Sequence, residues 1–197
     1  MPRKNLIRTD QFPYHVTIRC NNKEWFDLPR EDVWRYCISS IRIASKKYPV
    51  KIQAFVLMGN HYHLMIWTPN SDLDRFMYEM NRTLSKYLRQ ETRRINRIFG
   101  DRYKWSLIQN EIYYQIVLKY IYQNPVRAGI SNFCEEYRFS TLYYFLNLDI
   151  LPFELYKPTI GDKNEFLKWV NSEYENRERE KIQKALKRPV FKWHKFN

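Results

Sequence analysis

Apolar and polar residues alternate along residues 12–19, near the start of the chain. Successive side chains of a strand point to opposite faces, so Tyr14, Val16 and Ile18 would share one buried face. His15 lies on the other face, where a surface or hydrogen-bonding role is the ordinary expectation and a role in metal or DNA binding is rarer. The pattern predicts a half-buried strand.

The next segments predict a helix and then a hairpin. Apolar side chains recur at intervals of three and four along residues 29–47, which is the spacing of an amphipathic helix. Residues 52–58 and 61–67 are apolar runs joined by Gly59 and Asn60. This pair favours a hairpin turn, because both residues tolerate positive φ.

A second helix is predicted to begin at Ser71, with Asp74 as its partner in a capping box. After it, residues 105–109 have the composition of a short strand. The order strand, helix, strand, strand, helix, strand is that of the ferredoxin-like fold. The sequence therefore predicts an α+β protein with an antiparallel sheet and helices on one face of that sheet.

A third helix would be an addition to this fold. Asn110 is its predicted N-cap, and it should end by about Gln123, because Pro125 disfavours helical geometry in the residue before it. Tyr120 lies on the apolar stripe of this helix, together with Asn124 one turn later. On pattern alone, Tyr120 is more often a core residue than a catalytic one.

The rest of the chain is predicted to be a helical, basic extension. We divide the chain into a main domain, residues 1–147, and an extension, residues 148–197. Residues 162–180 have helical spacing, and the tail from residue 181 mixes basic and aromatic side chains. The tail is either a flexible DNA-binding arm or a solvated end, and His194 within it has no expected role.

Composition points toward a nucleic-acid partner. The 197 residues include 34 Lys and Arg against 21 Asp and Glu, a formal charge of +13. Such an excess favours a polyanion, with nucleic acid ahead of an anionic membrane. No apolar run is long enough to span a bilayer, no secretory signal core is present, and the 3 cysteines form no C-x-x-C pair. We therefore expect a cytoplasmic protein, with no membrane partner and no cysteine zinc site.

Basic and aromatic residues are interleaved after the second helix. This mixture suits single-stranded nucleic acid, because arginines pair with phosphates while bases stack on aromatic rings. The alternative is a solvated helix face with ordinary core aromatics. The candidate DNA-binding residues are Arg89, Arg93, Arg94, Arg97, Arg102 and Lys104.

Two of the 4 histidines, His61 and His63, open the second strand of the predicted hairpin. One residue separates them, so both point to the same face, roughly 7 Å apart at Cβ. Two imidazoles at this spacing can converge on one cation. A pair that only forms hydrogen bonds at a sheet edge is the alternative, and for an arbitrary His-x-His it is the commoner one.

Two motifs resemble a known family. The run at 55–66, Phe-Val-Leu-Met-Gly-Asn-His-Tyr-His-Leu-Met-Ile, resembles the His-hydrophobic-His signature of the single-tyrosine HUH transposases of the IS200-like class. The run at 120–129, Tyr-Ile-Tyr-Gln-Asn-Pro-Val-Arg-Ala-Gly, resembles a block of their REP-associated tyrosine transposase branch. The resemblance covers roughly residues 10–145. It departs from the family at Gly59, where proline is often found, and at Cys20, where glycine is common.

The resemblance implies a metal-dependent enzyme that nicks and rejoins DNA. His61, His63 and Asn124 would hold one Mg²⁺ or Mn²⁺ ion. Tyr120 would attack the DNA and leave a 5′-phosphotyrosine intermediate. Arg127 would hold the DNA backbone together with the basic segment.

The implied substrate is single-stranded DNA with a REP-like hairpin. The implied location is the nucleoid of a bacterial cytoplasm, and the implied assembly is a monomer or a homodimer. Residues 1–147 would be the HUH transposase-like catalytic domain, in which Tyr113, Tyr114 and Tyr122 are rivals for the nucleophile. Two other functions stay open: a non-catalytic protein that binds single-stranded DNA or RNA hairpins, and a zinc hydrolase that uses the two histidines.

Overall fold

A four-stranded antiparallel sheet lies at the centre of the protein, as seen in a computed structural model that describes residues 5–147, 150–156 and 162–193. The strands are β1 (Tyr14–Arg19), β2 (Lys51–Leu57), β3 (His61–Trp67) and β4 (Lys104–Leu107). Their spatial order is β2-β3-β1-β4, and every neighbouring pair is antiparallel. The predicted α+β class with an antiparallel, ferredoxin-like sheet is confirmed.

Two helices cover the first face of the sheet. The helices of the described chain are α1 (Arg30–Lys47), α2 (Leu73–Thr92), α3 (Glu111–Tyr122), α4 (Asn124–Arg127), α5 (Thr141–Leu146), α6 (Lys163–Asn171) and α7 (Asn176–Ala185). The apolar stripes of α1 and α2 pack against Tyr14, Val16 and Ile18, which are buried as predicted. Tyr62 and Leu64 of β3 extend the same core, because alternate residues of a strand share a face.

The later helices cover the second face. Val56 and Met65 point to this side and pack with residues of α3, α6 and α7 in a second core. The extension is therefore packed onto the sheet that carries the motifs. The predicted domain boundary after residue 147 stays a prediction, since residues 148–149 lie outside the described part of the chain.

The end of the described chain pairs with the sheet. The amide of Leu107 donates to the carbonyl of Pro189 (2.9 Å), and the amide of Phe191 donates to the carbonyl of Leu107 (2.9 Å). Phe191 is fully buried. Residues 189–191 are thus neither a flexible arm nor a solvated end, and His194 lies outside the described residues.

Of two turn predictions, the hairpin is confirmed and the capping box is wrong. The hairpin between β2 and β3 forms, although neither Gly59 nor Asn60 takes positive φ. A Cβ at position 59 would meet the Trp25 ring, so the close approach of this exposed ring favours glycine there. At the start of α2, Ser71 takes a φ of +55° and precedes the N-cap Asp72, so the predicted capping box is absent.

The helix predicted over residues 162–180 is two helices. α6 ends at Asn171 and α7 begins at Asn176. Between them, the Tyr174 hydroxyl donates to the Ile116 carbonyl of α3 (3.2 Å), a tertiary contact that helical periodicity cannot reveal. Within the described residues, no helix has the length and apolar character needed to cross a membrane.

Candidate active site

A cleft of about 800 Å³ opens on the second face of the sheet. One wall is formed by β1 and β3, which contribute His15, His61 and His63. The opposite wall is formed by α3 and α4, which contribute Tyr120 and Asn124. The cleft therefore brings together the four residues that the motifs single out, although nearly sixty positions separate the two motifs along the chain.

A chain of hydrogen bonds orients the His61 ring. The Asn60 side-chain amide donates from Nδ2 to the Lys23 carbonyl (2.7 Å), which can only accept, so Asn60 Oδ1 faces the other way. Oδ1 lies 2.8 Å from His61 Nδ1 and must accept a hydrogen from it. His61 therefore carries its hydrogen on Nδ1, which leaves a lone pair on Nε2 for a ligand.

A third histidine supports His63. His15 Nε2 lies 3.0 Å from His63 Nδ1, with the two rings stacked 5.2 Å apart. One of the two nitrogens donates to the other. When His63 Nδ1 is the donor, His63 Nε2 is free to bind a cation, and His15 acts as the acceptor behind it. Of the two roles first expected for His15, the surface position is wrong because the side chain is 3% exposed, and the hydrogen bond is confirmed, with one of the paired histidines as its partner.

Burial keeps all three imidazoles neutral. It lowers the pKa of His15 to about 3. Burial, and then the charge of Arg19, lowers the pKa of His61 to about 4. The pKa of His63 lies well below its usual range, chiefly through burial and then through the neighbouring His15 and His61. Since neutral imidazole is the form that binds metals, these rings are competent ligands near neutral pH.

Tyr120 projects from α3 toward the histidines. The helix begins at Asn110, whose side chain accepts from the Tyr113 amide (2.8 Å), so the predicted N-cap is confirmed. The Tyr120 ring stands nearly perpendicular to the His63 ring at 5.8 Å and to the His15 ring at 6.2 Å. Burial raises the pKa of its hydroxyl.

The rival tyrosines of α3 lie elsewhere. The Tyr113 ring packs against Phe191 at 5.1 Å. The Tyr122 hydroxyl donates to the Gln53 carbonyl (3.4 Å) in the second core. Tyr114 is not among the residues that line the cleft. Of the four tyrosines on this helix, Tyr120 alone has ring contacts with the histidines of the described chain.

Asn124 explains how the helix passes a proline. α3 ends near the predicted position, yet α4 continues in helical geometry directly afterwards. Pro125 has no N–H to donate, and the Asn124 side chain donates in its stead from Nδ2 to the carbonyls of Tyr120 (2.8 Å) and Ile121 (3.3 Å). Because both partners can only accept, the amide orientation is determined, and Oδ1 is left for a ligand.

The donor atoms fit a hard divalent cation. Two imidazole nitrogens and one amide oxygen leave room for water and phosphate oxygens, as Mg²⁺ or Mn²⁺ requires. In the described residues no group of three His, Cys, Asp or Glu side chains converges as a metal site would require. A metal site at this position would therefore need a donor of another residue type, and Asn124, which lines the same cleft, offers an amide oxygen.

The basic residues predicted to bind DNA separate into three groups. Arg102, Lys104 and Arg127 line the cleft, and the Arg127 guanidinium lies 5.8 Å from the centre of the Tyr120 ring. Arg94 is 13% exposed and forms ion pairs with Glu24 and Asp27. The remaining three are exposed but do not line the cleft: Arg89, Arg93 and Arg97.

Sequence reasoning gave His15 a metal or DNA role only as the rarer alternative, and it placed none of the other residues named below in the cleft. His15 and Arg19 could have been found, because ferredoxin-like pairing places β1 beside β3 and alternation turns both side chains toward the histidine face. Gln183 and Lys187, from α7 and the turn after it, also line the cleft. No local signal in the sequence joins them to residues more than sixty positions earlier.

Comparison with known proteins finds a matching family model and similar solved structures. The family model described as "Transposase IS200 like" matches residues 8–124. A solved structure described as a REP-associated tyrosine transposase bound to a REP hairpin is 20% identical, has a TM-score of 0.60, and covers 83% of this chain and 96% of its own. A structure titled a "putative transposase" from Deinococcus radiodurans is 12% identical, with a TM-score of 0.41, over 59% of this chain and 92% of its own. No curated protein sequence gives a significant match.

Proposed function

The chain belongs to the IS200-like transposase family, and we propose that it nicks and rejoins single-stranded DNA through a covalent link to Tyr120. In this proposal His61, His63 and Asn124 hold one Mg²⁺ or Mn²⁺ ion. The observation that carries it is the single cleft in which the Tyr120 ring stands against His63 while the Asn124 amide, one turn later, keeps its oxygen for a ligand. Nucleophile and ligands would then act on the same phosphate.

The chain's own residues account for the chemical step. The Tyr120 oxygen attacks phosphorus, and the bond from phosphorus to the 3′ oxygen breaks. A 5′-phosphotyrosine and a free 3′-hydroxyl result, and the proton lost by the phenol is balanced by the one that the 3′ oxygen takes up. The bound cation would polarise the phosphate and neutralise its developing charge. Rejoining is the reverse attack by a 3′-hydroxyl, and it needs no ATP because the phosphotyrosine retains the bond energy.

Charge supports DNA as the substrate. The chain has a formal charge of +13, and Arg102, Lys104 and Arg127 line the cleft. These cations would bind the phosphates on either side of the scissile bond. The relative with a similar fold is described as bound to a REP hairpin, so we propose that the substrate here is single-stranded DNA at a hairpin.

A denaturing gel tests the mechanism. Single-stranded hairpin DNA labelled at its 3′ end is incubated with the protein and Mn²⁺, and a labelled adduct that resists denaturation is expected. Tyr120→Phe should form none. Tyr113→Phe, which changes a tyrosine on the same helix that contacts Phe191 instead of the histidines, should form as much as wild type. If wild type binds the hairpin but forms no adduct, the non-catalytic hairpin-binding function is the better description.

A further inference from the structure

Three polar side chains stand four residues apart at the end of the described chain. Arg179, Gln183 and Lys187 fall on one face, the first two on α7 and the third in the turn directly after it. Gln183 and Lys187 line the same cleft as Tyr120. The other side of this segment is buried in the second core through Ile182, Ala185 and Leu186.

Gln183 lines the cleft together with Tyr120, and Arg179 stands one helical turn before Gln183 on the same face. Burial raises the pKa of the Tyr120 hydroxyl, and Gln183, Arg179 and Arg19 each lower it, in keeping with polar and cationic groups near that hydroxyl. Besides Arg19 from β1, the other groups that face Tyr120 are Arg127 from α4 and the rings of His15 and His63. Arg179 is half-buried, and none of the ion pairs among the described residues includes it. A partly desolvated cation without a carboxylate is a ready partner for a phosphate.

The extension is held against α3 by buried polar contacts. The Lys119 ammonium donates to the Ser172 hydroxyl (2.6 Å). The Gln123 side-chain amide donates to the carbonyls of Val170 (2.8 Å) and Ser172 (2.7 Å). With Phe191 packed on Tyr113, these contacts fix the extension along the whole nucleophile helix. The position of α7 beside Tyr120 is therefore set by the fold.

We propose that α7 and the turn after it form a third wall of the DNA cleft. Arg179 and Lys187 bind phosphates of the strand being cleaved, and Gln183 is a positioning residue that orients the Tyr120 hydroxyl. In this proposal the extension contributes side chains to the active site of the same chain. This inference rests on the proposed function, since it names further residues that contact the same DNA strand.

Salt dependence of DNA binding tests the phosphate contacts. Binding of single-stranded hairpin DNA is measured without metal, so that no cleavage occurs, at several salt concentrations. Each lost phosphate contact should flatten the slope of log K against log salt by about 0.7 for a single strand. Arg179→Gln with Lys187→Gln should flatten it by about twice that amount. The matched control is Arg177→Gln with Lys184→Gln, two exposed cations of the same helix, which should leave the slope unchanged.

The positioning role of Gln183 is tested by measuring the rate of adduct formation separately from DNA affinity. Gln183→Met keeps the size of the side chain but removes its polar atoms. At saturating DNA and Mn²⁺, the rate of adduct formation should fall on the order of tenfold to a hundredfold while DNA affinity stays within about twofold. Thermal denaturation of each variant confirms that the fold is kept.

The outcomes separate the two proposals. The proposal of a third wall is contradicted if the Arg179 and Lys187 double variant has the same salt slope as the control. It is also contradicted if Gln183→Met forms adduct at the wild-type rate. If wild type itself forms no adduct, the proposed chemistry fails. In that case the slope of log K against log salt still tests the phosphate contacts of the third wall, because binding is measured without metal.

Discussion

The cleft has a strand wall, formed by β1 and β3, and a helix wall, formed by α3 and α4. The two walls differ in the interactions that position them. His61 and His63 lie on β3, which is paired on both sides, with β1 and with β2. Tyr120 and Asn124 lie on α3 and α4, which pair with no strand. Their position depends on side-chain packing and on contacts with residues 163–191.

This difference has a consequence for function. Strand β3, which carries the two histidines, is positioned by backbone hydrogen bonds of the sheet, which persist as long as the domain is folded. Tyr120 is positioned by the second core, so damage there can misplace its side chain while the sheet survives. Because a displacement of about 1 Å can cost roughly a hundredfold in rate, the helix wall is the sensitive one.

Removal of a ligand from the strand wall should have the largest effect. His63→Ala deletes a proposed metal ligand while it leaves the pairing of β3 intact. We expect Mn²⁺ affinity to fall by more than about a hundredfold and adduct formation to be lost. Electron paramagnetic resonance of free Mn²⁺ measures the affinity. Unchanged affinity in this variant would remove the histidine pair from the metal site.

The contrast between the walls can be tested with two buried residues. Leu64→Ala in the first core should cost about 2–5 kcal/mol of unfolding free energy, and Phe191→Ala in the second core about 3–5 kcal/mol. Both are fully buried, whereas Phe133 is 50% exposed, so Phe133→Ala should cost less than about 0.5 kcal/mol. Urea denaturation gives these values.

The same two variants should differ in activity. At a temperature where both are folded, Phe191→Ala should slow adduct formation, because it loosens the helix wall through Tyr113. Leu64→Ala should leave the rate near that of wild type. Equal rates for the two variants would mean that the extension does not position the nucleophile.

His15 should have an intermediate effect on the strand wall. His15→Leu removes the hydrogen-bond partner of His63 Nδ1, and loss of such a supporting hydrogen bond typically lowers metal affinity by about 10–100-fold. His15→Gln restores an acceptor oxygen and should recover part of the loss. Mn²⁺ binding to the three proteins checks this. Equal affinities for wild type and His15→Leu would show that His15 only packs.

Gly59 should have the smallest effect. Gly59→Ala places a Cβ against the Trp25 ring, but Trp25 is 65% exposed and can move away. We expect a loss below about 1 kcal/mol, less than overpacking costs in a closed core. In a Trp25→Ala background the loss should vanish, which a double-mutant cycle of urea denaturation measures. A cost that persists without Trp25 would place the strain in the turn itself.

Local patterns were sufficient for the family and for the main fold. Alternation in β1 correctly identified Tyr14, Val16 and Ile18 as one buried face, because the pleat of a strand assigns each residue to a side wherever the strand lies. It did not reveal that the other face is covered as well, where His15 is 3% exposed. The Asn110 N-cap was also correct, since capping depends on a few adjacent residues. The motif at 61–63 and the block at 120–129 led to a family that the match over residues 8–124 confirms.

The remaining features depended on distant parts of the chain. Register between β1 and β3 brings His15 to His63, and the Asn124 amide carries the helix past Pro125 where local propensity predicted an end. Packing of the second core brings α7 to Tyr120. A sequence determines its own periodicities and caps by short-range sterics and hydrogen bonding. Which apolar faces meet is decided only when the whole chain buries them together, and in this protein that step assembles the cleft.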